Sequence, residues 1–252
     1  MWKILGQSVK GVSHERLDIP CQDASSWSHL HVGGDAYAVI AVSDGAGSAA
    51  HADVGAALVC ESIIHEAVRS LEAQPSLQEL AASGEPLLWI EHVRRVLFEA
   101  ADERGVPPRE LACTLLMSVL GEAASLFIQV GDGAIVACQQ GRCEPIIWPR
   151  SGEYANSTFF LTDDSYRQRV QICLAGRIDE VAMFTDGLQH LALRYSERAA
   201  HTPFFLPMFR ALRAAAEPDE LETDLRSFLD SDAVNARTDD DKTLILASRL
   251  AA

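Results

Sequence analysis

The sequence has no cluster of lysine and arginine. Its 252 residues carry 21 basic side chains against 36 acidic ones, a formal net charge of −15. A phosphate backbone needs a basic footprint, and so does an anionic membrane surface, so nucleic acid and membranes are not expected as partners. There is no uncharged apolar run of about 18 residues or more, so no membrane-spanning helix is expected. The apolar part of the opening stretch "MWKILGQSVKGVSHERLD" is too short for a signal peptide. No C-x-x-C pair occurs among the six cysteines, Cys21, Cys60, Cys113, Cys138, Cys143 and Cys173. Several lie in apolar runs, as Cys60 does in "ALVCESII", and all are expected as reduced core thiols of a cytoplasmic protein. A zinc site built on Cys138 and Cys143 would lack a second pair of ligands. The G-x-S-x-G elbow, the P-loop and G-x-G-x-x-G are absent, and "HEAVR" is not H-E-x-x-H. These absences argue against a serine hydrolase, an NTPase, a dinucleotide enzyme and a zinc protease.

What is present is ordinary for a globular chain: 48% hydrophobic and 23% charged residues, enough to bury a substantial core. Residues 36–43 read as a buried strand. Apolar positions at three- and four-residue spacing predict a helix from Ala52 through "ADVGAALVCESIIHEAVRSLEA". "QPSLQELAASGEP" reads as a break, and a second helix, "LLWIEHVRRVLFEAADERG", is expected to end at Gly105. From Leu111 the period shortens, and "LACTLLMSVL", "ASLFIQVGDGAIVACQQGRCEPII", "VQICLAG" and "EVAMFTDGL" read as short strands. Helices are expected around 203–216 and 219–230, a polar loop at "DAVNARTDDD", and a last strand at "KTLILAS". Residues 149–168 are irregular and long for a plain connection, which marks them as a candidate functional flap. Helices grouped rather than alternating with strands predict a layered, mainly antiparallel α+β fold. No linker divides the chain, so one domain over 1–252 is expected.

Three apolar strands run straight into Asp-Gly: "AVIAVSDGAG", "LFIQVGDGAI" and "VAMFTDGLQ". Taken singly, each pair suggests a hairpin turn, because both residues tolerate positive φ. Taken together with Asp23 in "PCQDA" and with Asp239, Asp240 and Asp241 before the last strand, they suggest something else. Carboxylates at the ends of several strands can be gathered at one edge, where their mutual repulsion calls for cations. An all-oxygen ligand set selects Mg2+ or Mn2+.

Read in order, "CQDA", "VSDGAGS", "ACTLLMSVL", "QVGDGAIV", "MFTDGL" and "DDKTLILA" resemble the motif series of the PP2C-type, metal-dependent protein serine/threonine phosphatases, in a bacterial branch of that family. The resemblance spans about residues 6–248. It implies an α-β-β-α sandwich of two mainly antiparallel sheets flanked by helices. It also implies hydrolysis of phosphoserine and phosphothreonine in proteins by a water activated between two or three Mn2+ or Mg2+ ions, with no covalent intermediate. Asp44 matches the aspartate that bridges two metals, Gly45 the glycine that offers a carbonyl, and Asp186 and Asp240 two further ligands; Asp44, Asp186 and Asp240 are thereby the candidate catalytic set. Asp132 matches the ligand of a third metal, and Asp23 a direct or water-mediated ligand. Thr114 matches a small hydroxyl ahead of the central strand.

Other positions depart from the pattern. Asp18 stands by spacing where an arginine often holds the substrate phosphate, with His14 and Arg16 as nearby substitutes. Gln22 replaces a carboxylate, Asp241 an asparagine, and Ala46 a histidine that is a candidate general acid in eukaryotic members. His51 is near in sequence but is expected to begin a helix. Asn156, with Tyr154, Phe159 and Phe160 in the flap, is a candidate for meeting the substrate. The implied partners are a phosphorylated protein and a cognate serine/threonine kinase. A catalytically impaired relative that binds phosphoproteins is the alternative, kept open by Gln22 and Asp18; a phosphatase for a small metabolite would use the same metals.

Overall fold

In the computed structural model, residues 1–149 and 158–250 are described. Two five-stranded sheets stack face to face, and every pair of neighbouring strands in them is antiparallel. The chain opens with β1 (Trp2–Val9), a strand with no counterpart in the sequence reading. A short helix α1 (Val12–Leu17) leads to β2 (Ala24–Val32) and β3 (Asp35–Ser43). Helices α2 (Ala52–Ala73), α3 (Leu77–Ser83) and α4 (Glu85–Arg104) follow. Then come β4 (Leu115–Leu120), β5 (Ala124–Val130), β6 (Ala134–Gln139) and β7 (Arg142–Ile147). A one-turn helix α5 (Tyr166–Arg169), β8 (Gln171–Gly176), β9 (Glu180–Phe184) and a short α6 (Gln189–Ala192) come next. The ribbon of β10 (Leu193–Arg194) and β11 (Ala199–Ala200) precedes α7 (Thr202–Ala214), α8 (Glu222–Leu229), α9 (Asp232–Asn235) and β12 (Lys242–Arg249). One sheet runs β1-β12-β9-β6-β7 and the other β2-β3-β4-β5-β8.

The burial pattern explains why the strands read as near-continuous apolar runs. Both faces of each sheet are covered, so period-two alternation is lost. Ile40 and Val42 of β3 point between the sheets, where they pack with Ile4, Leu116, Phe127, Met183 and Ile245. Their neighbours Val39 and Ala41 face the other way, against Val59, Ile63, Trp89 and Leu97 of α2 and α4. On the far side, Phe184, Leu244 and Leu246 meet Phe205, Phe209, Leu225 and Leu229 of α7 and α8. The layers are therefore helix, sheet, sheet, helix.

The long helices fall where their spacing places them. Gly105 closes α4 in the left-handed conformation at φ 66°. Two local expectations change. The supposed break after α2 contains α3, started by Ser76, whose side chain accepts the Glu79 N–H. The loop "DAVNARTDDD" contains α9. The flap candidate lies partly outside the described residues; its last part forms α5.

The expectation that all six cysteines are reduced is corrected for one pair. Gln140 and Gly141, with φ of 52° and 78°, turn β6 into β7. That two-residue turn makes Cys138 and Cys143 direct cross-strand partners, and they are joined as a disulfide. Both sulfurs are then consumed, which also removes the zinc reading. Cys21, Cys60, Cys113 and Cys173 are free, with Cys60 and Cys113 buried.

Candidate metal centre

None of the three Asp-Gly pairs is a hairpin turn. Positive φ occurs at six glycines and three other residues among those described, and Asp44–Gly45, Asp132–Gly133 and Asp186–Gly187 are not among them. At Gly133 the chain crosses from β5 in one sheet to β6 in the other, and after Gly45 and Gly187 it enters helical turns. The glycines serve close approach instead. A Cβ on Gly45 would lie 2.7 Å from Ala52 Cβ and 2.8 Å from the carbonyls of Ala52 and Gln22. On Gly187 it would collide with the carbonyl of Asp241.

Strand register carries the acids to one edge of the sandwich. Ala24 pairs with Ser43, which sets Asp23 beside Asp44. Leu244 pairs with Phe184, which sets Asp186 beside the start of β12. Val9 pairs with Lys242, so the chain after β1 runs past Asp240 and Asp241. The two sheets meet here: Thr185 Oγ1 and Thr243 Oγ1, from one sheet, each lie 2.8 Å from Oδ2 of Asp23, which leads into the other. Asp44 is fixed by its backbone, its N–H donating to Thr114 Oγ1 at 2.9 Å and its carbonyl accepting the Thr114 N–H at 2.8 Å.

A cavity of about 460 Å³ opens at this edge, lined by Asp44, Asp132, Asp186 and Asp240 together with His14, Gly45–Ser48, Thr114, Thr158 and Phe160. One carboxylate oxygen from each of Asp44, Asp132 and Asp186 lies within 4.8 Å of the others. Asp240 lines the same cavity beside them. Asp23 is buried behind Asp44, with its Oδ1 unpartnered, as is Oδ1 of Asp132. Among the described residues, the lining contains no lysine or arginine. Burial first, and then the neighbouring aspartates, push the Asp44 carboxyl well above the usual range and that of Asp186 up to about 7. Asp23, Asp132 and Asp240 are raised as well, each chiefly by burial. Such a group of converging acids, with two oxygens lacking donors and no lysine or arginine beside them among the described residues, fits hard divalent cations.

His14 is buried in α1 and reaches the cavity. Arg16, two residues on, is exposed and is not in the lining, because the helix turns it to the opposite face; the structure does not bring this candidate to the cavity. Asp18 caps α1 in the left-handed conformation, exposed. His51 begins α2 outside the lining. Asn156 and Tyr154 lie outside the described residues. Gln22 is buried with its amide turned to the Ala49 carbonyl, and its Oε1 has no partner. Asp241 has a part the sequence reading did not assign. Buried, it accepts hydrogen bonds from the N–H of Gly11 and of Gln22, both at 2.6 Å, and its Oδ2 lies 2.9 Å from His14 Nδ1. The only trace in sequence is the run of three acids before a strand, of which alternation turns one inward.

The sequence profile described as "Protein phosphatase 2C" matches residues 10–230. The chain belongs to the protein phosphatase 2C family. It is an enzyme of the PP2C phosphatase type, as its motifs suggested. Over 251 residues it is 36% identical to serine/threonine-protein phosphatase 3 of Escherichia coli (strain K12), covering 98% of each chain. Among solved structures, it resembles the serine/threonine phosphatase Stp1 from Staphylococcus aureus, with a TM-score of 0.64 at 16% identity, covering 100% of this chain and 96% of that one. The catalytic domain of the phosphatase PstP, solved in complex with two manganese ions, is similar at a TM-score of 0.64 and 14% identity, covering 99% of each chain. At these identities the two structures speak for the fold.

Proposed function

We infer that this PP2C-type phosphatase hydrolyses phosphoserine and phosphothreonine in proteins at the cavity bearing Asp44. The observation that carries the reading is the approach of Asp44, Asp132 and Asp186 to within 4.8 Å of one another in a cavity that also holds Asp240 and His14. Asp44, Asp132, Asp186 and Asp240 would hold two or three Mn2+ or Mg2+ ions, with Asp23 supporting them from behind. The Gly45 carbonyl, to which no donor points among the described residues, adds a neutral oxygen. Bound there, the cations supply Lewis-acid activation of water and neutralise the charge on the phosphoryl oxygens.

The chain's own groups do the rest. Three donors converge on the Asp241 carboxylate, which can only accept, so His14 Nδ1 carries the proton toward it. That leaves His14 Nε2 to meet a phosphoryl oxygen, in the role an arginine often has in the family. Thr114 keeps the Asp44 backbone in place. Thr158 and Phe160, in the described end of the flap candidate, are part of the lining and would meet the substrate there. The whole of 1–252 works as one catalytic domain, and its natural substrate is set by a serine/threonine kinase acting on the same protein.

The test is turnover of p-nitrophenyl phosphate and of a phosphothreonine peptide with Mn2+ or Mg2+, and its loss with EDTA. Calorimetric titration of Mn2+ accompanies it. Activity indifferent to both metal and EDTA refutes the reading; metal binding without turnover makes the chain a phosphoprotein-binding relative.

A further inference from the structure

A second cavity, of about 870 Å³, lies on the other side of the segment that carries Thr158 and Phe160. Phe159, between them, faces into it, so one strand of chain separates the two cavities. Side-chain contacts also connect Asp132 of the first lining to Trp148 of the second. Gln189 donates to the Asp132 carbonyl and accepts from Tyr195 OH, and the Tyr195 ring meets Trp148 edge-on at 5.5 Å.

This second cavity is basic. Its lining includes Arg169 and Arg198 and no carboxylate among the described residues, in a chain of net charge −15. Both cations are held over aromatic faces: Arg169 lies 3.9 Å from the Phe159 ring centroid and Arg198 5.7 Å from that of Trp148. Nearby arginines are neutralised, Arg167 by Glu91 and Arg194 by Glu197. Arg169 and Arg198 have no such partner among the described residues, and Nε of Arg169 is buried without an acceptor. A guanidinium held over an aromatic ring keeps N–H groups that can take a carboxylate or phosphate.

We propose that Arg169 and Arg198 form a specificity subsite for an acidic side chain, glutamate, aspartate or a second phosphorylated residue, flanking the phosphoserine or phosphothreonine of the protein substrate. The inference rests on the metal-centre reading above. A layer one strand thick spans on the order of 10 Å, which an extended peptide crosses in about three residues. A phosphoserine at Asp44 therefore delivers a neighbouring side chain, not a distant domain, to the arginines. The subsite binds and orients; it takes no part in the bond-breaking step.

The experiment compares kcat/KM of the Mn2+-loaded full chain on phosphothreonine peptides that carry glutamate or alanine at each flanking position, with p-nitrophenyl phosphate as a substrate too small to reach the second cavity. The expected result is about a tenfold preference for glutamate at one or two positions, expressed in KM, that weakens with salt. The pair Arg169→Gln and Arg198→Gln should abolish the preference and leave p-nitrophenyl phosphate turnover unchanged, while Arg169→Lys with Arg198→Lys should retain part of it. A peptide phosphorylated at the preferred flanking position separates phosphate from carboxylate as the better ligand. Equal kcat/KM for glutamate and alanine peptides in the unaltered protein overturns the proposal without any variant, as does a preference that survives in the glutamine pair. No turnover of p-nitrophenyl phosphate by the unaltered Mn2+-loaded protein would instead overturn the metal-centre reading, and the subsite with it.

Discussion

His14 Nδ1 and Asp241 Oδ2 lie 2.9 Å apart, both buried, joining α1 to the start of β12 behind the acidic cavity that His14 lines. Asp241 is at once the anchor of the chain after β1, through Gly11 N–H, and of the approach to β2, through Gln22 N–H. It couples the position of the proposed phosphate-holding residue to the backbone that frames the cavity.

Asp241→Asn replaces a carboxylate that accepts three hydrogen bonds with an amide whose NH2 must face one of the donors. The expected cost is about 1–3 kcal/mol of stability, since a buried donor is left without an acceptor. KM for p-nitrophenyl phosphate should rise with little change in Mn2+ affinity. Thermal unfolding, steady-state kinetics and calorimetry check the three parts, and an unaltered KM would detach His14 from the substrate.

Asp44→Asn and Asp186→Asn should each lower turnover at least about a hundredfold, because charge that stabilises the transition state through the cations is removed. The same substitutions should raise the stability of the metal-free protein, because each removes one of several buried, mutually repelling carboxylates. Unfolding curves in EDTA beside activity assays in Mn2+ test both. A loss of metal-free stability would mean that these side chains support the fold.

The metal-free protein should be less stable at pH 8 than at pH 5.5. The Asp186 carboxyl is raised from its ordinary 3.8 to about 7, and those of Asp44, Asp23, Asp132 and Asp240 are raised as well. Between these limits the folded chain binds protons that the unfolded chain has released, so stability falls as pH rises through the window. Saturating Mn2+ favours the ionised acids and should flatten or invert the slope. Calorimetric melting temperatures across this range, with EDTA and with Mn2+, give the comparison. A slope of the opposite sign in EDTA would show that the acids are not buried together as described.

Reducing the Cys138–Cys143 disulfide should lower the melting temperature and leave turnover within about twofold. The pair sits along β6 from the Asp132 turn and packs toward α7 rather than toward the cavity. The double variant Cys138→Ser with Cys143→Ser, assayed with and without dithiothreitol, checks this, and thiol counting by mass spectrometry checks the pairing itself.

Much of the fold was legible because its signals are local. The spacing of Val59, Ile63 and Val68 marks α2, and Gly105 marks the end of α4. β1 was not legible: "WKILGQSV" has no turn signal before it, and its eight residues are a strand because β12 pairs with each of them. α3 was obscured by Pro75 and Gly84, which bound it rather than forbid it. The disulfide was missed because apolar surroundings suggest a free thiol, whereas the tight turn at Gln140–Gly141 decides that the two sulfurs face each other.

The site divides in the same way. From the sequence alone came the residue types, the order of the motifs, and the placement of Asp44, Asp132 and Asp186 each directly after an apolar strand, since these depend only on neighbours along the chain. Whether those acids meet, that Arg16 turns away while His14 turns in, and that Asp241 holds a histidine were decided by the tertiary structure. Strand register and the stacking of two sheets are set by contacts between residues as far apart as Gly11 and Asp241, and no local pattern encodes which side of a layer a side chain will face once those layers close.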